Sequence, residues 1–311
     1  MFVLRGIAVS LTFFVLLYGL LSALISVSWR WLRWLRAAEQ GLADALFFLR
    51  VLPMLASVIA TFVFVIPSFQ LLEPRSVEEG VGRTPIALGI AALLLIACGC
   101  QRVVSAQIRT SRIVAGWLEG SRPLGKRIGP LTFRSRCEAP PLTLVGMRKP
   151  RVFVSDPAVE LLTHDELEIA LRHELEHIRS YDNLKKLVFR FCPFPGMAKL
   201  EAVWAHTSEL AADDAAVTNM TEAVDLASAL VKLSRLLPVD AAPSCTVGFV
   251  TGSVRERITR LLAWDESQKT RRLCIPRWAA LPPVLVMVSC AFVSYMPVLT
   301  ATHELTEWLV R

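Results

Sequence analysis

The chain has 311 residues, is 54% hydrophobic and 20% charged, and carries a formal net charge of +7. Its mean hydropathy of +0.49 accompanies more apolar and fewer charged residues than an ordinary soluble protein, which runs at about 45–50% and about 25% respectively. That balance excludes a disordered, collagen-like or coiled-coil chain and weighs against a wholly soluble globule.

The apolar residues are gathered into runs. Gly6 to Trp29, Val51 to Leu72, Thr84 to Gln101 and Trp278 to Thr302 contain no charged residue. A helix rises about 1.5 Å per residue, so about 20 residues cross a hydrocarbon core roughly 30 Å thick. The expectation is four transmembrane helices, at 6–29, 51–72, 84–104 and 278–302. The first run is too long for the apolar part of a cleaved leader, and no A-x-A-like site follows it. Pro282, Pro283 and Pro297 in the last run are tolerated inside membrane helices.

Orientation follows from the basic residues of the short loops. Arg30, Arg33, Arg36 and Arg50, interleaved with Trp31 and Trp34, predict a cytoplasmic first loop. In the second loop Glu73, Glu78 and Glu79 outnumber Arg75 and Arg83, which predicts an external one. Alternation then places both termini, including a short tail from His303, outside a bacterial-type inner membrane. It places residues 105–275 in the cytoplasm as a single inserted domain. Seven cysteines without a pairing framework suit a reducing compartment. Cys98 and Cys100 are too tightly spaced for a usual zinc pair and read as membrane packing.

The insert opens with a basic, helix-compatible stretch, 105–130, read as lying against anionic lipid. No aromatic or motif-like feature accompanies it, so direct nucleic-acid binding is not expected. Short β-type runs follow at Leu131–Arg134, Leu142–Val145 and Arg151–Val154, the last two joined by Gly146–Pro150. They predict a small antiparallel sheet with a hairpin. Thr163-His-Asp-Glu166 matches a capping box that opens a helix to about Ser180. Further helices are expected at 183–191, 198–217, 222–236 and 251–264, which makes the insert α+β.

The capped helix contains His173-Glu174-Leu175-Glu176-His177, the pattern H-E-x-x-H. Residues four apart share a helix face, so both imidazoles can grip one metal, and Glu174 beside them can take a proton from water. Zinc suits such ligands. Glu209 and Asp213, again four apart, supply a candidate third ligand and a carboxylate to back a ligating histidine. His206, three residues before Glu209, is a candidate oxyanion or substrate contact or a plain polar helix residue. Asp182 reads more simply as the N-cap of the next helix than as a partner of the site. Glu176, His164 and Asp214 read as surface residues. Trp204, Phe189, Phe191 and Phe194 read as packing.

H-E-x-x-H followed by E-L-A-A-D resembles the integral-membrane metallopeptidases of the BlaR/MecR antirepressor type. Gly146–Ser155, His177–Leu184 and Val254–Leu262 are similar to that family's strand before the zinc helix, its helix extension and its closing basic helix. Three membrane helices before the protease segment and one after it match as well. The resemblance implies a gluzincin-like metalloprotease domain holding one zinc ion per chain. Its implied ligands are His173, His177 and Glu209, with Glu174 as the base. It implies cleavage of a cytoplasmic protein substrate, such as a repressor-type regulator, by a membrane signalling protease. The family's external penicillin-binding sensor domain is not expected here. An extended substrate is expected to pair with the strand containing Arg151, Val152 and Phe153. The alternatives are an HtpX-like membrane quality-control protease and a catalytically silent membrane receptor.

Overall fold

The computed structural model describes residues 2–29, 39–74, 82–119, 121–123, 132–135, 140–146, 150–194, 196–236, 247–248, 254–265 and 295–310. The fold over these residues is mostly helical with one small sheet. Helix α1 (Phe2–Ser28) is the first apolar run. Helix α2 (Glu39–Ala60) runs through a π-helical turn (Thr61–Val65) into α3 (Ile66–Leu72). This helix starts before the uncharged run, so Arg50, read as a loop residue, lies inside it and is buried. Pro53 lies within α2 and has no N–H to donate. Ser57 and Thr61 donate their hydroxyls to the carbonyls of Pro53 and Ser57, each at 2.7 Å, just before the widened turn. Proline and back-bonded hydroxyls are two established causes of a disturbed helical ladder.

Helix α4 (Arg83–Glu119) has 37 residues, roughly 55 Å at 1.5 Å per residue. The third apolar run and the basic segment after it are therefore one helix, with no break at the expected boundary of 104/105. Three helical stretches, Phe2–Ser28, Gly41–Leu72 and Arg83–Glu119, are long and apolar enough to cross a membrane. The fourth apolar run lies outside the described residues as far as 294. Its end and the expected tail form one helix, Tyr295–Val310. Arg30, Arg33, Arg36, Arg75, Glu78 and Glu79, on which the orientation rested, also lie outside the described residues.

The sheet holds β1 (Ser121–Pro123), β2 (Thr132–Ser135), β3 (Leu142–Val145), β4 (Arg151–Ser155) and β5 (Val247–Gly248), in the order β1-β2-β4-β3-β5. The expected β3–β4 hairpin is present, pairing Leu142 with Val154 and Leu144 with Val152. The sheet is mixed rather than antiparallel, because β2 runs parallel to β4. Its strands β3 and β4 are buried on both faces. Leu142, Leu144, Val152 and Val154 join a core with α5 (Asp156–Leu161), α6 (His164–Arg179), α9 (Met220–Ser234) and α10 (Val254–Leu262). Phe153, fully buried, meets Trp117 of α4 edge-on at 5.4 Å. The far end of α4 thus lies against the sheet.

Between α6 and α9 lie α7 (Asp182–Phe191) and α8 (Ala198–Ala216). The capping box of α6 is complete. Thr163 Oγ1 accepts from the Glu166 amide and Glu166 Oε2 accepts from the Thr163 amide at 2.8 Å. Buried Glu166 also accepts from Ser228 (2.5 Å) and Lys232 (2.7 Å) on α9. Burial works against its charge, but these donors win and hold its pKa below the usual 4.5. A carboxyl so depressed stabilises the fold above pH 4.5, and that contribution is lost as pH falls through the lowered value. Glu166→Gln keeps a capping partner but loses the charge. It should cost about 1–3 kcal/mol near neutral pH, with the gap to the parent narrowing below pH 4 in acid-unfolding curves. A gap that stays constant with pH would refute this role.

The α7–α8 elbow is embedded in the apolar helices. Phe189, Met197, Leu200 and Trp204 pack with Ile25, Trp29 and Leu46, and Cys192 packs with Phe14, Tyr18, Met54 and Ala92. The packing role expected for Phe189 and Trp204 is what the structure shows. A helix end leaves carbonyls without intrahelical partners. Here Arg50 Nη2 donates to the Cys192 carbonyl (2.5 Å) while its Nε donates to Glu201 (2.8 Å), and the Tyr18 hydroxyl donates to the Pro193 carbonyl (3.0 Å). Gly99 of α4 faces the same elbow: a Cβ there would lie 2.3 Å from the Phe191 carbonyl oxygen. Backbone cannot yield as a side-chain tip can. Gly99→Ala should therefore lose about 1–3 kcal/mol, read as a lower melting temperature in detergent; an unchanged one would contradict this close approach.

Candidate metal centre

His173 and His177 both lie on the buried face of α6, with relative exposures of 0% and 1%. Their Nε2 atoms are 3.2 Å apart. Glu209 reaches them from α8, with Oε2 3.5 Å from His173 Nε2 and Oε1 3.7 Å from His177 Nε2. One ligand atom from each of the three falls within 4.8 Å of the others. The two H-E-x-x-H histidines and the carboxylate expected from E-L-A-A-D therefore converge on one point. This buried group of two imidazoles and one carboxylate could hold a metal ion.

Each imidazole is backed by a carboxylate. Asp213 Oδ1 lies 3.0 Å from His173 Nδ1, as its spacing from Glu209 predicts. Asp182 Oδ2 lies 2.6 Å from His177 Nδ1. Asp182 therefore belongs to the site, against the simpler N-cap reading. The residue at the N-cap of α7 is Tyr181, in the left-handed region at φ 56°, without a side-chain cap. This single αL residue turns the chain sharply enough to bring Asp182 back against the histidine five positions earlier. Outer carboxylates fix the orientation and basicity of ligating histidines, and their loss typically costs 10–100-fold in metal affinity. Asp182→Asn should weaken binding by about that factor in a competition titration against a chelator; parental affinity would remove Asp182 from this role.

Arg257 is the residue that sequence reasoning missed. It is 0% exposed. Its Nε and Nη2 donate to the two carboxylate oxygens of Asp213, both at 2.7 Å, and its Nη1 donates to Glu209 Oε2 at 2.9 Å. Burial disfavours its charge, but Asp213 and Glu209 overcome that and keep it firmly protonated. The same guanidinium and His173 hold Asp213 below the carboxylate range against the cost of burial. A signal did exist. Val254, Ile258 and Leu261 form the apolar stripe of α10, and Arg257, three residues after Val254, falls on it.

Glu174 is fully buried, and neither carboxylate oxygen has a hydrogen-bond partner among the described residues. Burial pushes its pKa up, with His177 and His173 opposing. His173 is pulled the other way. Burial lowers its pKa, but Asp213 and Glu209 raise it to about 9. The centre thus contains one carboxylate biased toward taking up a proton and two, Glu209 and Asp213, biased against it.

The remaining candidates lie elsewhere. His206 Nε2 sits 3.2 Å from Glu256 Oε2 on α10. Glu176 pairs with Arg179, His164 is exposed in the first turn of α6, and Asp214 pairs with Arg260 at 2.7 Å rather than standing in solvent. Val152 and Phe153 are buried. With Arg151 they belong to a strand paired on both sides, to β2 and to β3. The expected addition of a substrate strand to β4 is therefore ruled out, since strand addition needs an open edge. Even the outer edge of β3 carries β5 at Thr143 and Leu144. Compared with protein-family models and with the curated proteins, the chain matches none.

Proposed function

We propose that the chain is a membrane-embedded zinc metalloendopeptidase. The observation that carries this is an unpartnered, buried Glu174 beside the converging His173, His177 and Glu209. Zinc binds His nitrogen at about 2.0–2.1 Å and carboxylate oxygen at about 2.0–2.2 Å, so tetrahedral ligand atoms stand roughly 3.4 Å from one another. The distances of 3.2, 3.5 and 3.7 Å between the three donors are close to that edge. Two imidazoles and one carboxylate, leaving a position for water or substrate, form a donor set of catalytic zinc rather than of structural zinc.

When bound, the ion supplies Lewis acidity toward a water and toward the scissile carbonyl. Glu174 takes the water's proton and delivers it to the leaving amine, a role for which burial has raised its pKa in the right direction. Asp213 and Asp182 hold the two imidazoles in the tautomer that presents Nε2. Arg257 holds Glu209 and Asp213 in place and keeps both ionised.

The substrate is read as a protein on the same side of the membrane as the insert. That side is cytoplasmic on the charge of the first loop and the insert. A fourth span at 278–302 would complete the anchor. The pairing of H-E-x-x-H with E-L-A-A-D, and the helix that delivers Arg257, support a likeness to the BlaR/MecR type, with a regulator such as a transcriptional repressor as substrate. The test is a comparison of protein termini in cells carrying the parent or Glu174→Gln. New N-termini confined to the parent would name the substrate. Identical sets of termini would refute the peptidase reading.

A further inference from the structure

A cavity of about 540 Å³ lies where α2, α4, α7 and α8 meet. Its charged lining comprises Arg50, Arg102, Arg109, Lys186, Arg190 and a single carboxylate, Glu201. Glu201 is already engaged by Arg50. Arg102, Arg109 and Lys186 make no ion pair with another described residue. Like charges gathered round one space repel unless an anion joins them.

The position of the cavity indicates where that anion comes from. The uncharged run Val51–Leu72 begins directly after Arg50, and the run Thr84–Gln101 ends directly before Arg102. Two apolar helices thus reach their polar boundary at the same cavity, which puts it at the level of lipid headgroups. Arg102, Ser105 and Arg109 line it from one face of α4, at spacings of three and four residues. Lys186 faces them from α7. Its pKa is lowered by burial, which carboxylates at Glu209, Asp182 and Glu174 only partly offset.

We propose that this cavity is a binding site for a phosphate group, delivered by the headgroup of an anionic membrane lipid. Arginine suits phosphate because its planar fork donates two parallel hydrogen bonds, and lysine adds a point charge. The volume is within the range of about 300–1,000 Å³ that small-ligand sites occupy. The site has a route to the metal centre. Lys186 is one helical turn after Asp182 on α7, so an anion held by Lys186 steadies the helix whose first residue grips His177. Binding itself does not depend on the chemistry proposed for that centre.

The test uses the full chain in bilayer discs of neutral phosphatidylcholine, with or without phosphatidylglycerol, and counts retained lipids by native mass spectrometry. The parent should retain phosphatidylglycerol in preference to phosphatidylcholine. Arg102→Gln with Arg109→Gln should weaken that retention about tenfold or more, since each basic group near such a surface contributes severalfold. Both side chains are exposed, so the fold should survive. Arg179→Gln with Arg255→Gln removes the same charge from exposed positions elsewhere and should change nothing. Millimolar inorganic phosphate, added to neutral discs, separates the two sources. Binding of free phosphate that the Arg102 and Arg109 changes abolish would keep the site but assign it to a soluble anion. Equal retention of both lipids with no binding of phosphate, or equal loss in both double variants, would overturn the proposal.

Discussion

Glu174→Gln should leave the metal in place and slow peptide cleavage by about 10²–10⁴-fold, the usual contribution of a positioned acid–base group. The two effects separate because Glu174 is not among the three converging donors. His173, His177 and Glu209 with their backing carboxylates are untouched by the change. The amide matches the carboxylate in shape and fills the same buried space. It cannot take up a proton near neutral pH, which is the one property the proposed mechanism needs there. It also removes a buried carboxylate that has no hydrogen-bond partner among the described residues. The variant should therefore fold at least as stably as the parent, since a neutral amide costs less to bury than a carboxylate. Metal content, melting temperature and single-turnover cleavage would be measured on the same preparation. Parental cleavage by a fully metallated Gln variant would remove Glu174 from the reaction. Loss of metal would show instead that Glu174 helps to hold it. His173→Ala provides the contrast, because it should lose metal and activity together.

How much of this was legible beforehand depended on sequence distance. His173, His177, Glu209 and Asp213 were readable because each pair is four apart on a helix, and the helical period alone puts such residues on one face. The capping box at Thr163 and Glu166 was legible for the same local reason. Asp182 was misread because its approach to His177 depends on one left-handed residue, Tyr181, and nothing in the period announces that turn. Arg257 lies 44 residues after Asp213. Its meaning appears only once α10 is packed on α9 and α8. The third span was expected to stop where hydropathy falls, yet α4 continues to Glu119. Beyond the apolar run its support comes from the sheet, through Trp117 on Phe153, and hydropathy does not register that contact. Strand pairing was the least legible feature. Runs such as β1 and β5, of 3 and 2 residues, carry no alternation, and the parallel union of β2 with β4 is a long-range choice.

Arg257→Ala should be the most destabilising single change in the centre. The guanidinium satisfies both oxygens of Asp213 and one oxygen of Glu209, all without solvent. Removing it leaves two carboxylates buried together without their guanidinium partner. Deleting one partner of such a network costs about 3–5 kcal/mol, because an uncompensated buried charge remains. Repulsion between Asp213 and Glu209 would then favour protonating one of them. Either response reaches the metal, through Glu209 as a donor or through Asp213 behind His173. Metal affinity should fall by about 10–100-fold, as it does when outer partners of a metal site are lost. Arg257→Lys sharpens the test. It restores the charge but not the planar fork that serves two carboxylates at once, so stability should recover in part while metal affinity stays low. Excess metal should raise the melting temperature of the Ala variant less than that of the parent, because a weaker site gains less stability at the same metal concentration. A parental melting temperature and parental metal affinity in the Ala variant would show that the carboxylates of this centre are held by something other than Arg257.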